Sequence, residues 1–143
     1  MQNKEKMKNP IPSVDLLITR NSKILLGKLN QKWTNNGKYE YGLPGREIKF
    51  GDNFQRSIES NLREELGMTL KSFKIFCINN NFGFGNHYVS IGILVEAEGN
   101  PEVKKSEDWK EWKWFEKDDI PSKLFPSAEL TIKCFLENRF TLQ

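Results

Sequence analysis

Apolar and polar positions alternate along much of this chain with the period of extended structure, and in two stretches they switch to the period of a helix. Ile11 to Thr19 (IPSVDLLIT) reads as a strand, Arg20-Asn21-Ser22 supplies turn chemistry, and Lys23 to Leu29 (KILLGKL) reads as its hairpin partner. Tyr39 to Leu43 is a short strand running into Pro44-Gly45. Leu70 to Asn79 is a strand with Phe73, Ile75 and Cys77 on one face, Asn86 to Glu98 is the longest strand, and Trp112 to Phe115 alternates as the last one. The stretches Asn30–Lys38, Asn79–Asn86 and Gly99–Glu111 concentrate Asn, Gly and scattered charge, and read as loops. Met1 to Asn9 is polar and Lys-rich, a tail or a strand lead-in.

The first helical stretch follows Gly45. Asp52 or Asn53 can cap it by accepting from a first-turn amide, and Gly67 suits the left-handed residue that ends it, so the helix spans roughly 53 to 66. Advancing about 100° per residue from Phe54 puts Ile58, Leu62 and Leu66 on one apolar arc. Glu65 falls inside that arc, with Asn61 and Glu64 along its edge. A carboxylate turned into a core needs a cation or a donor, and a hard divalent ion such as Mg²⁺ suits oxygen ligands of this kind. The second helix is capped by Ser127 and carries Ala128, Ile132, Phe135, Leu136 and Arg139 at helical spacing; it reads as structural.

The stretch ending in Glu64-Glu65-Leu66-Gly67-Met68 resembles a Nudix box, whose pattern is G-x5-E-x7-R-E-U-x-E-E-x-G-U with U apolar. Leu62 matches the earlier U, and Leu43-Pro44-Gly45 matches the usual lead-in. Four positions depart: Arg46 stands for the box glycine, Asp52 for the first Glu, and Ser60-Asn61 for the central Arg-Glu pair. The flanking segments LLITRNSKILLGK, HYVSIGILVEAE and EWKWFEKDDIP also sit where relatives have such segments, so the resemblance covers nearly the whole chain.

The resemblance implies an α/β protein, an α-β-α sandwich with a mixed sheet and the Nudix loop-helix, in a single domain over residues 1–143. It implies Mg²⁺ (or Mn²⁺) held by Glu64, Glu65 and the Gly45 carbonyl. In the family the lost central Glu is commonly a metal ligand and often the base; Asn61 can donate or accept hydrogen bonds but cannot be a base. Catalysis then falls to Glu64 and Glu65, with Glu107 the first candidate for an extra acid ahead of the WxWF strand; Asp108 and Glu111 are further candidates, and solvated surface acids the alternative. Arg46 either grips a phosphate through its donor fork or blocks the metal site with a rival charge. Phe82 and Phe84 either sandwich a planar base or serve as hydrophobic cover, and Trp109 covers the nucleoside. Trp33 stacks on a base or covers the sheet; Asp15 marks an edge or a polar pocket wall.

Composition narrows the rest. The 143 residues, 37% hydrophobic, suffice for one core and are too few for two ordinary domains. A net charge of +3 suits an anionic ligand weakly and does not imply nucleic-acid binding. Cys77 and Cys134 lack metal-type spacing and read as buried free thiols of a reducing compartment, and the single histidine, His87, gives no support to a His-based site. No apolar run of about 18 residues and no charged-then-apolar start occurs, which predicts a cytoplasmic protein without a membrane partner. The expected function is Mg-dependent hydrolysis of a nucleoside diphosphate linked to another group, a nucleoside triphosphate first. A nucleotide-sugar hydrolase of GDP-mannose type and a catalytically weak nucleotide-binding module are the alternatives, and a homodimer is compatible with each.

Overall fold

The computed structural model describes residues 8–142. The amino-terminal tail expected over residues 1–9 therefore lies mostly outside the described residues. In chain order the elements are β1 (Ile11–Arg20), β2 (Lys23–Leu29), a short 3-10 turn at Gln31–Trp33, β3 (Tyr41–Gly42), β4 (Gly45–Glu47) and α1 (Phe54–Asn61), which continues as a π turn over Leu62–Leu66. Then come β5 (Thr69–Gly83), β6 (Asn86–Glu98), β7 (Trp109–Glu116), a 3-10 turn at Lys117–Asp119 and α2 (Pro126–Glu137). No helix among the described residues is long and apolar enough to cross a membrane.

The sheet is mixed. β1 runs parallel to β6, from Ile11 opposite Tyr88 to Ile18 opposite Val95, and antiparallel to β4 and to the start of β2. β5 pairs antiparallel with β6, and β7 with β2. Because side chains alternate across a strand, β1 feeds two cores. Val14, Leu16 and Ile18 pack under Ile58, Leu62 and Leu66 of the first helix, while Leu17 packs with Ala128 and Ile132 of α2 on the other face. The helix-sheet-helix sandwich expected from the resemblance is thus present.

Asn53 caps α1 by accepting from the Arg56 amide at 2.8 Å, and Gly67, at φ 69°, ends the π turn. Phe54, the start of the apolar arc, stays at its exposed edge. Three expectations need correction. The Asn-rich stretch 79–86 is a ladder rather than a loop: β5 and β6 pair down to Gly83 opposite Asn86, leaving Phe84-Gly85 as a two-residue turn with φ 52° and 77°. Asn79 and Asn81 are buried and spend their amides on side-chain partners, which suits strand interiors as well as turns. A bulge between Ile75 and Cys77 turns them to opposite faces, so Ile75 packs under α1 and Cys77 sits near Cys134 of α2. Finally, α2 starts at Pro126, which needs no amide partner in a first turn, so Ser127 lies inside the helix and caps nothing.

Candidate functional site

A pocket of about 280 Å³ opens at the end of the sheet between the π turn and the start of α2. Its rim carries Gly45, Arg46 and Glu65, its walls include Trp33, Trp109 and Phe125, and its floor is made by Ser13, Asp15, Asn81 and Ser90. The π turn matters here, since it widens the helix just where Glu64 and Glu65 stand.

Glu65 is 5% exposed. Burial raises its pKa; the indole N–H of Trp109, donating to Oε1 at 2.8 Å, and the amide of Asn61, donating to Oε2, pull it back down. Trp109 reaches it because β7 begins three residues earlier than the alternation suggested. Gly27 across the ladder leaves room for the Trp109 and Trp112 rings, which any Cβ there would overlap. Asn61 is fully buried, and the same amide nitrogen reaches the Gly45 carbonyl at 3.4 Å. Gly45 must be glycine, since a Cβ would come within 2.5 Å of the Val14 carbonyl and 2.8 Å of Asp15 Oδ1.

Glu64 is more open, and Arg46 donates to it at 2.6 Å. That bond, ahead of the nearby positive charges, holds the Glu64 carboxyl below the usual carboxylate range. Arg46 itself is largely covered, with 13% of its side chain exposed. The segment before β7 straps over the π turn: the Glu102 amide donates to the Leu66 carbonyl and the Lys104 amide to that of Glu65. This strap brings Lys105 and Asp108 to the pocket. Glu107 points into solvent and does not line the pocket; Asp108 does, accepting from Trp33 Nε1 at 2.8 Å and pairing with Lys32 at 3.3 Å. Alternation along an irregular loop could not distinguish these two acids.

Phe82 and Phe84 are also off the pocket lining. Phe82 is exposed and stacks on His87, at 4.5 Å between centroids. Phe84 stacks on Phe125 at 5.8 Å and meets Trp33 edge-on at 5.5 Å, so it backs the aromatic wall from outside. Phe125, Asn81, Ser90 and Lys105 are pocket residues that no motif singled out. Their signal is tertiary, because β5, β6 and the strap meet only in the fold.

Among the described residues no cluster of three or more His, Cys, Asp or Glu side chains forms a ready metal cage. The donor set nevertheless fits a hard cation. The Gly45 carbonyl and Glu65 Oε2 both face the Asn61 carboxamide, whose Oδ1 is buried without a partner. A carboxamide turned over would offer that orphaned oxygen beside the other two, an all-oxygen set of the kind Mg²⁺ takes. Arg46 already pairs with Glu64, where it would compete with such an ion.

No family model matches the chain. The ADP-ribose pyrophosphatase of Methanocaldococcus jannaschii is 26% identical over 124 residues, which cover 85% of this chain and 71% of that protein. Among solved structures, a MutT Nudix hydrolase from Burkholderia pseudomallei superposes with a TM-score of 0.77 at 24% identity, covering 88% of this chain and 98% of that one. The MutT protein of Methanosarcina mazei Go1 gives 0.76 at 18% identity, covering 94% and 98%. At such identities the structural likeness carries the fold, and the curated relative adds a likeness in sequence. With the box-like residues seated on the loop and helix that rim the pocket, the chain has the fold of the MutT-like Nudix hydrolases and resembles them in sequence as well, with a box-like stretch that departs from their pattern at four positions.

Proposed function

We propose that the protein hydrolyses a nucleoside diphosphate linked to another group, a nucleoside triphosphate before a nucleotide sugar or ADP-ribose, at the pocket between the π turn and α2. The observation that carries this reading is the buried Glu65 carboxylate, aligned with the Gly45 carbonyl through Asn61 at the pocket rim. Gly45, Asn61 Oδ1, Glu64 and Glu65 would hold Mg²⁺ or Mn²⁺. Bound there, the ion would neutralise charge on the bridging phosphates and make the phosphorus more open to attack by water.

The chain's own residues supply the remainder. Trp33, Trp109 and Phe125 enclose the nucleoside and exclude water from it, while Arg46 and Lys105 take the phosphates. Arg46 has guanidinium N–H groups beyond the one given to Glu64, so a phosphate draws it off that carboxylate. The Glu64 oxygen that Arg46 releases can then accept the proton of the attacking water as the P–O anhydride bond breaks, the part that Asn61 cannot play. Asp108 steadies Trp33 and needs no proton transfer.

The second reading, a nucleotide-binding module with little turnover, is favoured by one observation: the Arg46–Glu64 pair closes one side of the cation site. The two are separated by offering nucleoside triphosphates, nucleotide sugars and ADP-ribose with Mg²⁺ or Mn²⁺ to the wild type, Glu65→Gln and Asn61→Glu, with products followed by ³¹P NMR. Turnover by the wild type that Glu65→Gln abolishes supports the hydrolase. Binding without turnover in the wild type and in Asn61→Glu would leave only the module.

A further inference from the structure

Asp15 takes no part in the chemistry above, yet it is a buried acid that lines the same pocket. It stands on β1 between Gly45 of β4 and Gly92 of β6, 6% exposed. Thr131 of α2 donates to its Oδ2 at 3.3 Å and Ser127 provides a second hydroxyl. Its Oδ1 lies beside Gly45, and both residues line the pocket. Among the described residues no lysine or arginine pairs with it. A buried carboxyl without an internal cation is costly, and hydroxyl donors offset only part of that cost.

Beside it on the floor, Asn81 gives its amide N–H to Ser90 Oγ at 2.8 Å. The Asn81 carboxamide oxygen accepts nothing from the described residues, and the side chain lines the same pocket. The floor therefore presents two unfilled acceptors beneath aromatic walls. A ligand that suits both features is planar and brings N–H donors on one edge. Guanine offers N1–H and the exocyclic amino group side by side, a pair that two neighbouring acceptor oxygens, one from Asp15 and one from Asn81, can take together; adenine offers an amino group beside an acceptor, and uracil one N–H between two carbonyls.

We propose that Asp15, with Asn81 beside it, is the specificity-determining acceptor of this pocket and selects a nucleobase carrying two adjacent N–H donors, a guanine-type edge. The proposal rests on the reading that a nucleotide fills the pocket, and its test keeps the two apart. Binding of GDP, ADP, CDP and UDP to the whole protein is measured by calorimetry for the wild type, Asp15→Asn and Asn81→Ala, with a thermal melt of each variant to show that it is folded.

The expected result is GDP tightest in the wild type by about tenfold, a preference that Asp15→Asn removes because its amide faces the base's donors with another donor. UDP binding should change less than threefold, and Asn81→Ala should weaken GDP severalfold more than UDP. Comparable affinities for all four in the wild type, or an equal loss for all four in Asp15→Asn, would overturn the assignment and leave the nucleotide pocket standing. No binding of any nucleotide would overturn both.

Discussion

Replacing Asp15 by asparagine should stabilise the protein above neutral pH, whatever it does to ligand selection. Burial pushes this carboxyl from its ordinary 3.8 up to about 7, against the lowering effect of the Ser127 and Thr131 hydroxyls. Between those two values the folded protein keeps a proton that the unfolded chain has released. Folding stability is therefore highest below the unfolded value, falls as pH rises through the window, and levels off once the native carboxyl ionises as well. A shift of about three pH units at 1.36 kcal/mol each sets a ceiling of about 4 kcal/mol. Asparagine keeps an acceptor for Thr131 but buries an amide, which gives back roughly 1–2 kcal/mol. The net gain at pH 8 is then about 2 kcal/mol, or a rise in Tm of roughly 5–10 °C for a chain of this length. At pH 4 the gain should vanish or change sign. Urea denaturation followed by tryptophan fluorescence at half-unit steps from pH 4 to 8 measures the difference between the two proteins. A difference that does not vary with pH, or a variant less stable at pH 8, would refute the account of Asp15 as an acid buried at a cost.

Arg46→Gly restores the residue of the box pattern and releases Glu64; Mn²⁺ affinity, read by the loss of the free-ion electron paramagnetic resonance signal, should tighten about tenfold, since a pair this close costs a competing cation on the order of 1–2 kcal/mol to displace. Equal or weaker Mn²⁺ binding would remove Arg46 as the competitor. Trp109→Phe deletes the donor to Glu65 Oε1 and should cost about 1–3 kcal/mol in urea, because a buried charged acceptor is left short of a partner; a neutral result would mean that Glu65 is not held by the indole. Gly27→Ala pushes a methyl group into the Trp109 and Trp112 rings and should destabilise by about 1–3 kcal/mol, with a changed fluorescence maximum as the check.

The sandwich was legible because its signals are local and repeated. The β1–β2 hairpin needs only alternation and Asn21-Ser22 at its turn, and the first helix needs only the spacing of Ile58, Leu62 and Leu66 between an Asn cap and Gly67. Where a signal serves two purposes, the expectation went astray. Asparagine favours turns, but Asn79 and Asn81 stand in β5 because their amides meet a thiol and a hydroxyl from other elements. Alternation likewise fails at a bulge, and so Cys77 and Ile75 part company.

The site divides along the same line. Glu65, Gly45 and Arg46 were visible because they sit on one contiguous loop-helix, and the inward turn of Glu65 follows from helical phase alone. Asp108 rather than Glu107 faces the pocket because the strap is pinned by main-chain bonds to Leu66, Glu65 and Asn30, none of which leaves a trace in residue type. The departures from the box also look different once they are side by side. Asn61 and Arg46 stand at opposite ends of the loop and helix, yet each puts a nitrogen donor against an oxygen that the resemblance assigns to the metal: Asn61 against Gly45 and Glu65, and Arg46 against Glu64. The two changes thus answer one electrostatic need, since two neighbouring carboxylates and a carbonyl must be balanced by positive charge or N–H donors whenever no ion is bound. A box that carries its own donors pays less for standing empty, and by the same amount raises the concentration of divalent ion needed to fill it. Mn²⁺ titration of Arg46→Gly, Asn61→Glu and the double variant measures that linkage, and gains that simply add would show the two positions acting separately.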